Sequence, residues 1–197
     1  KVFLAPYSAN GKPLHVQGFL GAFAKAAVRN ATQLKALADC GVPLVGLDPA
    51  MTLVYRQEYP KVPGLEGCPT VLLPQEWLLS ALPEQAAGST STFRLLAHCT
   101  EKTNAPASTR QWEQVFERMG LKLITEATGC CGMSGTYGHE ARNQQTSKDI
   151  FEQSWALKLD KEGEPLATGY SCRSQVKRMA GRPMRHPLEV VLQFARR

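Results

Sequence analysis

No apolar run in this sequence approaches the ~20 residues that a membrane-spanning helix needs. The strongest candidate, Gly18 to Val28, is broken by Lys25, which excludes such a span. Acidic residues are nearly missing from the end of the chain. From Arg173 onward there are seven basic residues and one acid, Glu189, so that stretch carries the whole net charge of +6, while the first 172 residues hold 16 basic and 16 acidic groups. No basic stripe interleaved with aromatics crosses the body, so a nucleic-acid partner is not expected. The opening residues are not expected to be a signal peptide either. The opening Lys1-Val2-Phe3-Leu4-Ala5-Pro6 has no initiator Met and reads as the end of a buried strand, as in a piece of a longer polypeptide. Without a signal for an oxidising compartment, a cytoplasmic protein with free thiols is expected.

What is present is an alternation of helical and strand patterns. Phe19, Phe23, Ala27, Ala31 and Leu34 recur at helical spacing over residues 17–39, and Cys40-Gly41 closes that run as glycine commonly does. Residues 43–47 read as a short buried strand and 50–59 as a returning helix. Segments 60–74 and 86–92 are rich in Pro, Gly or small polar residues and read as connections, with a short helix over 75–82 between them. A strand over 93–97 follows. Ser108 or Thr109 then caps a helix carrying Trp112, Val115, Phe116 and Met119, and 121–124 is the next strand.

Two stretches of the chain match each other. At an offset of 122, Leu37, Gly41, Pro43, Leu44, Val54 and Arg56 meet Leu159, Gly163, Pro165, Leu166, Val176 and Arg178, and at an offset of 120 Gly18 meets Gly138. These matches predict an α/β fold of two duplicated halves, each a small parallel sheet flanked by helices. The first half covers 1–60, a linker with a short helix 61–92, and the second half 93–197.

Six cysteines remain to be explained, because a chain this long buries roughly 70% of its unfolded surface and needs no disulfide staples. Cys99 ends a predicted strand, Cys130 and Cys131 follow another, and Cys172 follows a third. Residues just beyond the carboxyl ends of parallel strands converge on one edge, so these four thiols can meet. Their gaps are too long for a zinc ribbon, and adjacent cysteines pair only through a strained ring. Four thiolates suit an iron–sulfur cluster or a tetrahedral zinc ion, and spacing alone does not choose. Gly132, Gly135 and Gly138 allow close backbone approach, so amide N–H groups can point at sulfur and offset its charge. The loop fits neither a dinucleotide nor a P-loop fingerprint. His98 and His139 are read as supporting or structural groups, and Cys40 and Cys68 as lone packed thiols. A nucleophilic Cys131 assisted by His139 is a further reading.

Cys99, then Cys130-Cys131-Gly132, then Cys172 resembles the cysteine-rich CCG domain found in heterodisulfide reductase and in the iron–sulfur component of glycolate oxidase. The run GCCGMSGTYGHEARNQQTSKDIFEQSW, with TGYSCRSQ and HPLEVVLQ, is similar to the carboxyl-terminal region of bacterial FAD-linked D-2-hydroxy-acid dehydrogenases of the D-2-hydroxyglutarate and D-lactate type. That resemblance implies a cluster, 4Fe–4S or zinc in its place, held by the four cysteines and tuned by the glycines and Arg173. It also implies FAD in a flavin domain elsewhere in the same polypeptide, an electron acceptor as partner, and no substrate chemistry in this region. Three positions after Cys172, where the fuller motif has another cysteine, stands Gln175. Aligning the halves sets Asn10 and Gly11 opposite Cys130 and Cys131, and Ala50 opposite Cys172, so the first copy lacks thiols.

Overall fold

The computed structural model describes residues 1–65, 67–83 and 91–195. The expected connection at 86–92 lies outside the described residues up to residue 90. The chain divides into two compact units: unit 1 is Lys1–Leu47 with Met51–Leu72, and unit 2 is Asp48–Ala50 with Leu73–Arg197.

Unit 2 holds a three-stranded parallel sheet in the order β2-β1-β3, formed by β1 (Thr92–Leu96), β2 (Lys122–Thr125) and β3 (Glu164–Ala167). Phe93 is registered with Leu123 on one side and Glu164 on the other. As the central strand, β1 is buried on both faces, which is why TFRLL lacks the alternation of a half-exposed strand. Phe93, Leu95 and Ala97 face one apolar layer with Trp112, Val115 and Phe116. Leu96 faces a second with Cys131, Met133, Phe151, Trp155, Cys172 and Val176. Arg94 on that second face is a buried cation. Its guanidinium donates to the carbonyls of Lys158, Lys161 and Gly163 and pairs with Glu126, so its charge is satisfied where the preceding helix ends. Pro165 on β3 has no N–H for a ladder and sits on a strand that pairs with only one named neighbour, a position proline tolerates.

Around this sheet run α4 (Pro74–Ala81), α5 (Cys99–Asn104), α6 (Ser108–Arg118), α7 (Gln144–Phe151), a π-turn (Glu152–Ala156), α8 (Leu157–Leu159), α9 (Tyr170–Ala180) and α10 (Pro187–Ala195). The α/β class and a small parallel sheet flanked by helices are as expected.

Unit 1 contains α1 (Lys12–Val16), α2 (Leu20–Ala38) and most of α3 (Pro49–Gln57). Its core is Phe23, Ala27, Val54, Tyr59 and Val62. Phe23 and Ala27 take the buried face expected of them, but Phe19 precedes the helix and is exposed. Gly18, at φ +80, turns the chain just before α2 and sets its start. In place of a sheet, unit 1 has among its described residues a single parallel bridge, Val45 to Leu72. Residues 1–6 form no strand: Val2, Phe3 and Leu4 are 84%, 73% and 94% exposed, against the buried strand expected from their apolarity. Apolar residues alone do not make a strand without a neighbour to satisfy their backbone groups.

Candidate metal centre

Each strand of unit 2 delivers cysteine to the same edge of the sheet. Beyond β1, Ala97 and His98 lead into Cys99, the first residue of α5; Cys130 and Cys131 lie in the loop after β2; Cys172 is in the first turn of α9, after β3. The four sulfurs run as a chain of neighbours. Cys130 is hydrogen-bonded to Cys131 and Cys99, and Cys131 to Cys172. Cys131 and Cys172 are buried, whereas Cys99 and Cys130 are half-buried. Cys40 and Cys68, in unit 1, are free thiols, and Cys40 is exposed rather than packed.

Proton occupancy along the chain of sulfurs is uneven. Hydrogen bonds from Cys131 and Cys99, and the N–H of Gly132, hold the Cys130 thiol far below its usual range. Giving a hydrogen bond to Cys130 pushes the Cys99 thiol up, and burial adds to it. The Cys131 thiol is likewise raised by its bonds to Cys130 and Cys172 and by burial. One thiolate is thus cradled by thiol donors. Cys131 holds its proton and is buried, and His139 is exposed on a 3-10 turn, an arrangement unlike that of an activated nucleophile.

The loop that carries the vicinal pair is tied at several points. The N–H of Gly132 donates to Cys130 Sγ at 3.3 Å, and Ser147 Oγ donates to the Gly132 carbonyl at 2.8 Å. Gly132 has φ +88, and a Cβ there would fall 2.2 Å from the Ser147 carbonyl oxygen, so the position requires glycine. Gly138 is buried, and a Cβ would meet Ser147 Oγ at 2.7 Å; Gly135, at φ +66, turns the chain with open space around it. Of the three glycines, Gly132 is the one whose N–H reaches a sulfur among the described residues. The π-turn brings Ser154 and Trp155 to the two sides of Gly129: Ser154 Oγ accepts its N–H at 2.6 Å, and Trp155 Nε1 donates to its carbonyl at 3.2 Å.

A buried polar network joins the ends of β1 and β3 behind Cys99 and Cys172. The His98 N–H donates to Thr168 Oγ1 at 3.0 Å, and the hydroxyls of Thr168 and Ser108 both reach the Glu101 carboxyl. Burial pushes that carboxyl up. His98 Nδ1 caps α5 by accepting the Thr100 N–H at 3.1 Å, and a Cβ on Gly169 would collide with the His98 ring and Cys172 Sγ. Ser108, expected to cap α6, is instead the first residue of the helix, with its side chain turned inward to Glu101. Asp48 accepts the Tyr170 N–H at 2.8 Å where α9 begins, and Arg173 donates to the carbonyls of Ala167 and Thr168. At the position of the absent further cysteine, buried Gln175 donates to Ser147 Oγ at 2.9 Å. Glu101, Thr168, Ser147 and Asp48 carry no spacing signal in the sequence, because each acts across a tertiary contact.

Among the described residues, no group of three or more His, Cys, Asp or Glu side chains is disposed around a single ion. Protonated thiols hydrogen-bond one another in a line, whereas a shared centre needs them deprotonated and splayed. The donor set itself fits a thiolate-bound group: four sulfurs neighbouring one another in turn, from Cys99 through Cys130 and Cys131 to Cys172, with a backbone N–H on Cys130.

No family model matches the chain. It is 86% identical over its full length to D-2-hydroxyglutarate dehydrogenase of Pseudomonas putida, and 47% identical over 97% of its length to the enzyme of that name in Escherichia coli. A more distant relative, one of the subunits of the anaerobic glycerol-3-phosphate dehydrogenase of Escherichia coli, is 25% identical over 93% of the chain and 48% of its own length. The chain spans about a fifth of the length of the two D-2-hydroxyglutarate dehydrogenases, 20% and 19% respectively.

Proposed function

We propose that this chain is the iron–sulfur electron-transfer module of an FAD-linked oxidoreductase that oxidises a D-2-hydroxy acid of the D-2-hydroxyglutarate, D-lactate or glycolate class. The observation that carries the reading is the convergence of Cys99, Cys130, Cys131 and Cys172, from three adjacent strand ends, into one chain of contacting sulfurs. The names of the similar dehydrogenases supply the substrate class. These four cysteines would hold a 4Fe–4S cluster, which when bound supplies one-electron relay between the flavin and an acceptor.

The chain's own residues do the preparing. Cys130 gives up its proton first, and the Gly132 N–H stabilises the negative charge that remains on it. His98, Thr168 and Glu101 lock the ends of β1 and β3, which fixes the separation of Cys99 and Cys172. Gly169 leaves the room that the His98 ring and Cys172 share. Half-buried Cys99 and Cys130 form the side of the site nearest solvent, where electrons would leave to a partner. Gly135, Gly138 and Arg173 complete the surround, as turn, close packing and charge. Substrate chemistry and FAD belong to the flavin domain of the same polypeptide, in the four-fifths of the relatives' length that this chain does not span. Free thiols of this kind fit the reducing cytoplasm.

The duplicated organisation, with a copy in 1–60 that lacks cysteine at the positions aligned with Cys130, Cys131 and Cys172, a linker in 61–92 and the cluster-bearing copy in 93–197, draws support from two aligned pairs. Gly41 and Gly163, aligned at the 122 offset, have φ +73 and +89 and each precedes a parallel pairing segment. The aligned Val54 and Val176 are both buried in helices, α3 and α9.

The test is iron and acid-labile sulfide in the full-length protein, purified without oxygen. About four of each per chain, with brown visible absorbance that Cys131→Ser removes, is expected. Stoichiometric zinc in a colourless protein would replace this reading with a structural zinc domain.

A further inference from the structure

Among the described residues the two outer strands of unit 2 are joined to each other only through β1, so removing β1 would leave β2 unpaired and β3 with a single isolated bridge. Unit 1 has that pattern. At the 120 offset β2 corresponds to residues 2–5, which are apolar, exposed and outside any strand. At the 122 offset β3 corresponds to 42–45, which keeps one parallel bridge. That bridge has its own counterpart. β3 makes an isolated parallel bridge from Leu166 to Arg185 on the side away from β1, and in unit 1 the aligned segment bridges Leu72. Leu72 takes the Gly46 N–H at 2.9 Å and gives its own N–H to the Leu44 carbonyl at 2.8 Å. In an extended chain these engagements turn the N–H and C=O of Val45 toward the opposite side, where a further strand would lie.

We infer that residues 2–5 and 43–45 are the outer strands of a second three-stranded parallel sheet, whose central strand comes from the same polypeptide about 25 residues ahead of Lys1. The distance follows from the second copy, in which residues 97–121 separate β1 from β2. The occupant is this polypeptide and not another molecule because the similar dehydrogenases are about five times as long as the chain, which covers 20% of one of them. Register follows as well. Phe3 aligns with Leu123, which is buried, and Leu4 with Ile124, which is exposed. The central strand therefore turns Phe3 into the core and leaves Leu4 on the outer face. The inference rests on the duplication and not on the cluster.

Hydrogen exchange on the full-length protein tests it, with amides of 2–5 and of Val45 expected to exchange at least about 100-fold slower than an unstructured chain. A density map of the same protein identifies the neighbour, expected to be an extended segment ending about 25 residues before Lys1. Phe3→Asp should abolish the protection and Leu4→Asp should keep it. Unstructured exchange rates in the unmutated full-length protein would overturn the inference, and so would a neighbour that is a flavin-domain helix, a second copy or a separate protein. None of these readouts depends on iron content.

Discussion

Units 1 and 2 differ in how they satisfy similar apolar sequences. Unit 2 buries two apolar layers, one on each face of a sheet whose central strand is hidden on both sides. Unit 1 gathers five buried residues into one cluster, and of the sixteen large apolar side chains exposed among the described residues, eleven belong to it. The difference lies less in composition than in the central strand. A β-strand organises apolar residues on two faces and satisfies the backbone of two neighbours at once, so one missing segment strands far more apolar surface than its own.

The largest test of this contrast is a pair of truncations. Trp112→Ala in unit 2 removes a fully buried indole from the layer under β1 and should cost about 3–5 kcal/mol, read from exchange of the β1 amides. Phe19→Ala in unit 1, at 62% exposure, should change stability by less than about 0.5 kcal/mol. Equal effects would erase the distinction between a complete layer and an incomplete one. Next in size is Gly132→Ala, which places a methyl group against the Ser147 carbonyl at φ +88 and should cost about 3 kcal/mol together with iron binding. Gly135→Ala, in open space, should cost about 1 kcal/mol and keep the iron. If both variants lose iron alike, close packing at Gly132 is not what shapes the thiol loop.

Much of unit 2 was legible because its signals are local. The apolar run 93–97, the Trp112/Val115/Phe116 periodicity and the strand-end positions of Cys99, Cys130, Cys131 and Cys172 can each be read without knowing the partner. Residues 1–6 misled for the same reason. Their apolarity is that of a buried strand, yet a strand also requires a neighbour, and the pattern does not say where that neighbour is. Arg94, Glu101 and Thr168 were illegible for the opposite reason. A buried cation held by five backbone or carboxylate groups, and a buried carboxyl held by two hydroxyls, depend on contacts 32 to 69 residues apart in the chain, or on a turn seven residues away, that no spacing rule encodes. Ser108 shows the cost of local rules. It stands where a cap belongs and serves Glu101 instead.

Acid separates the stability of unit 2 further. Burial, and then the charge of Arg173, pull the His186 imidazole down to about 3, where its usual value is 6.5. Between these values the unfolded chain binds a proton that the folded chain refuses, so the contribution is intact above pH 6.5 and is lost as pH falls toward 3. His186 Nδ1 also accepts the Leu188 N–H at 3.1 Å where α10 begins. His186→Asn keeps a side-chain acceptor there and removes the titration. The variant should lose about 3 kcal/mol less than the parent between about pH 7 and pH 4, measured on the amides of unit 2. Parallel pH profiles would show that the imidazole is not the group that fails.

A modest effect probes the tie that holds unit 1's loop to its core. Tyr59 is fully buried, its hydroxyl donates to the Asn10 carbonyl at 2.9 Å, and its ring meets Phe23 and Tyr55 edge-on at 5.8 and 5.1 Å. Asn10 is the residue aligned with Cys130, and its side-chain Oδ1 accepts the Lys12 N–H at 3.0 Å while its Nδ2 donates to the Met51 carbonyl at 3.2 Å. An amide and a phenol therefore do in unit 1 what sulfur contacts do in unit 2: they fasten the loop that follows the second strand position. Tyr59→Phe keeps the ring packing and leaves one buried carbonyl short of a donor, at a cost of about 1 kcal/mol. Exchange should quicken at residues 10–12 and be unchanged at 129–132, because the two fastenings share no atoms. An equal response in both loops would mean that the thiol loop borrows its order from unit 1, and the two copies would have to be treated as one cooperative body.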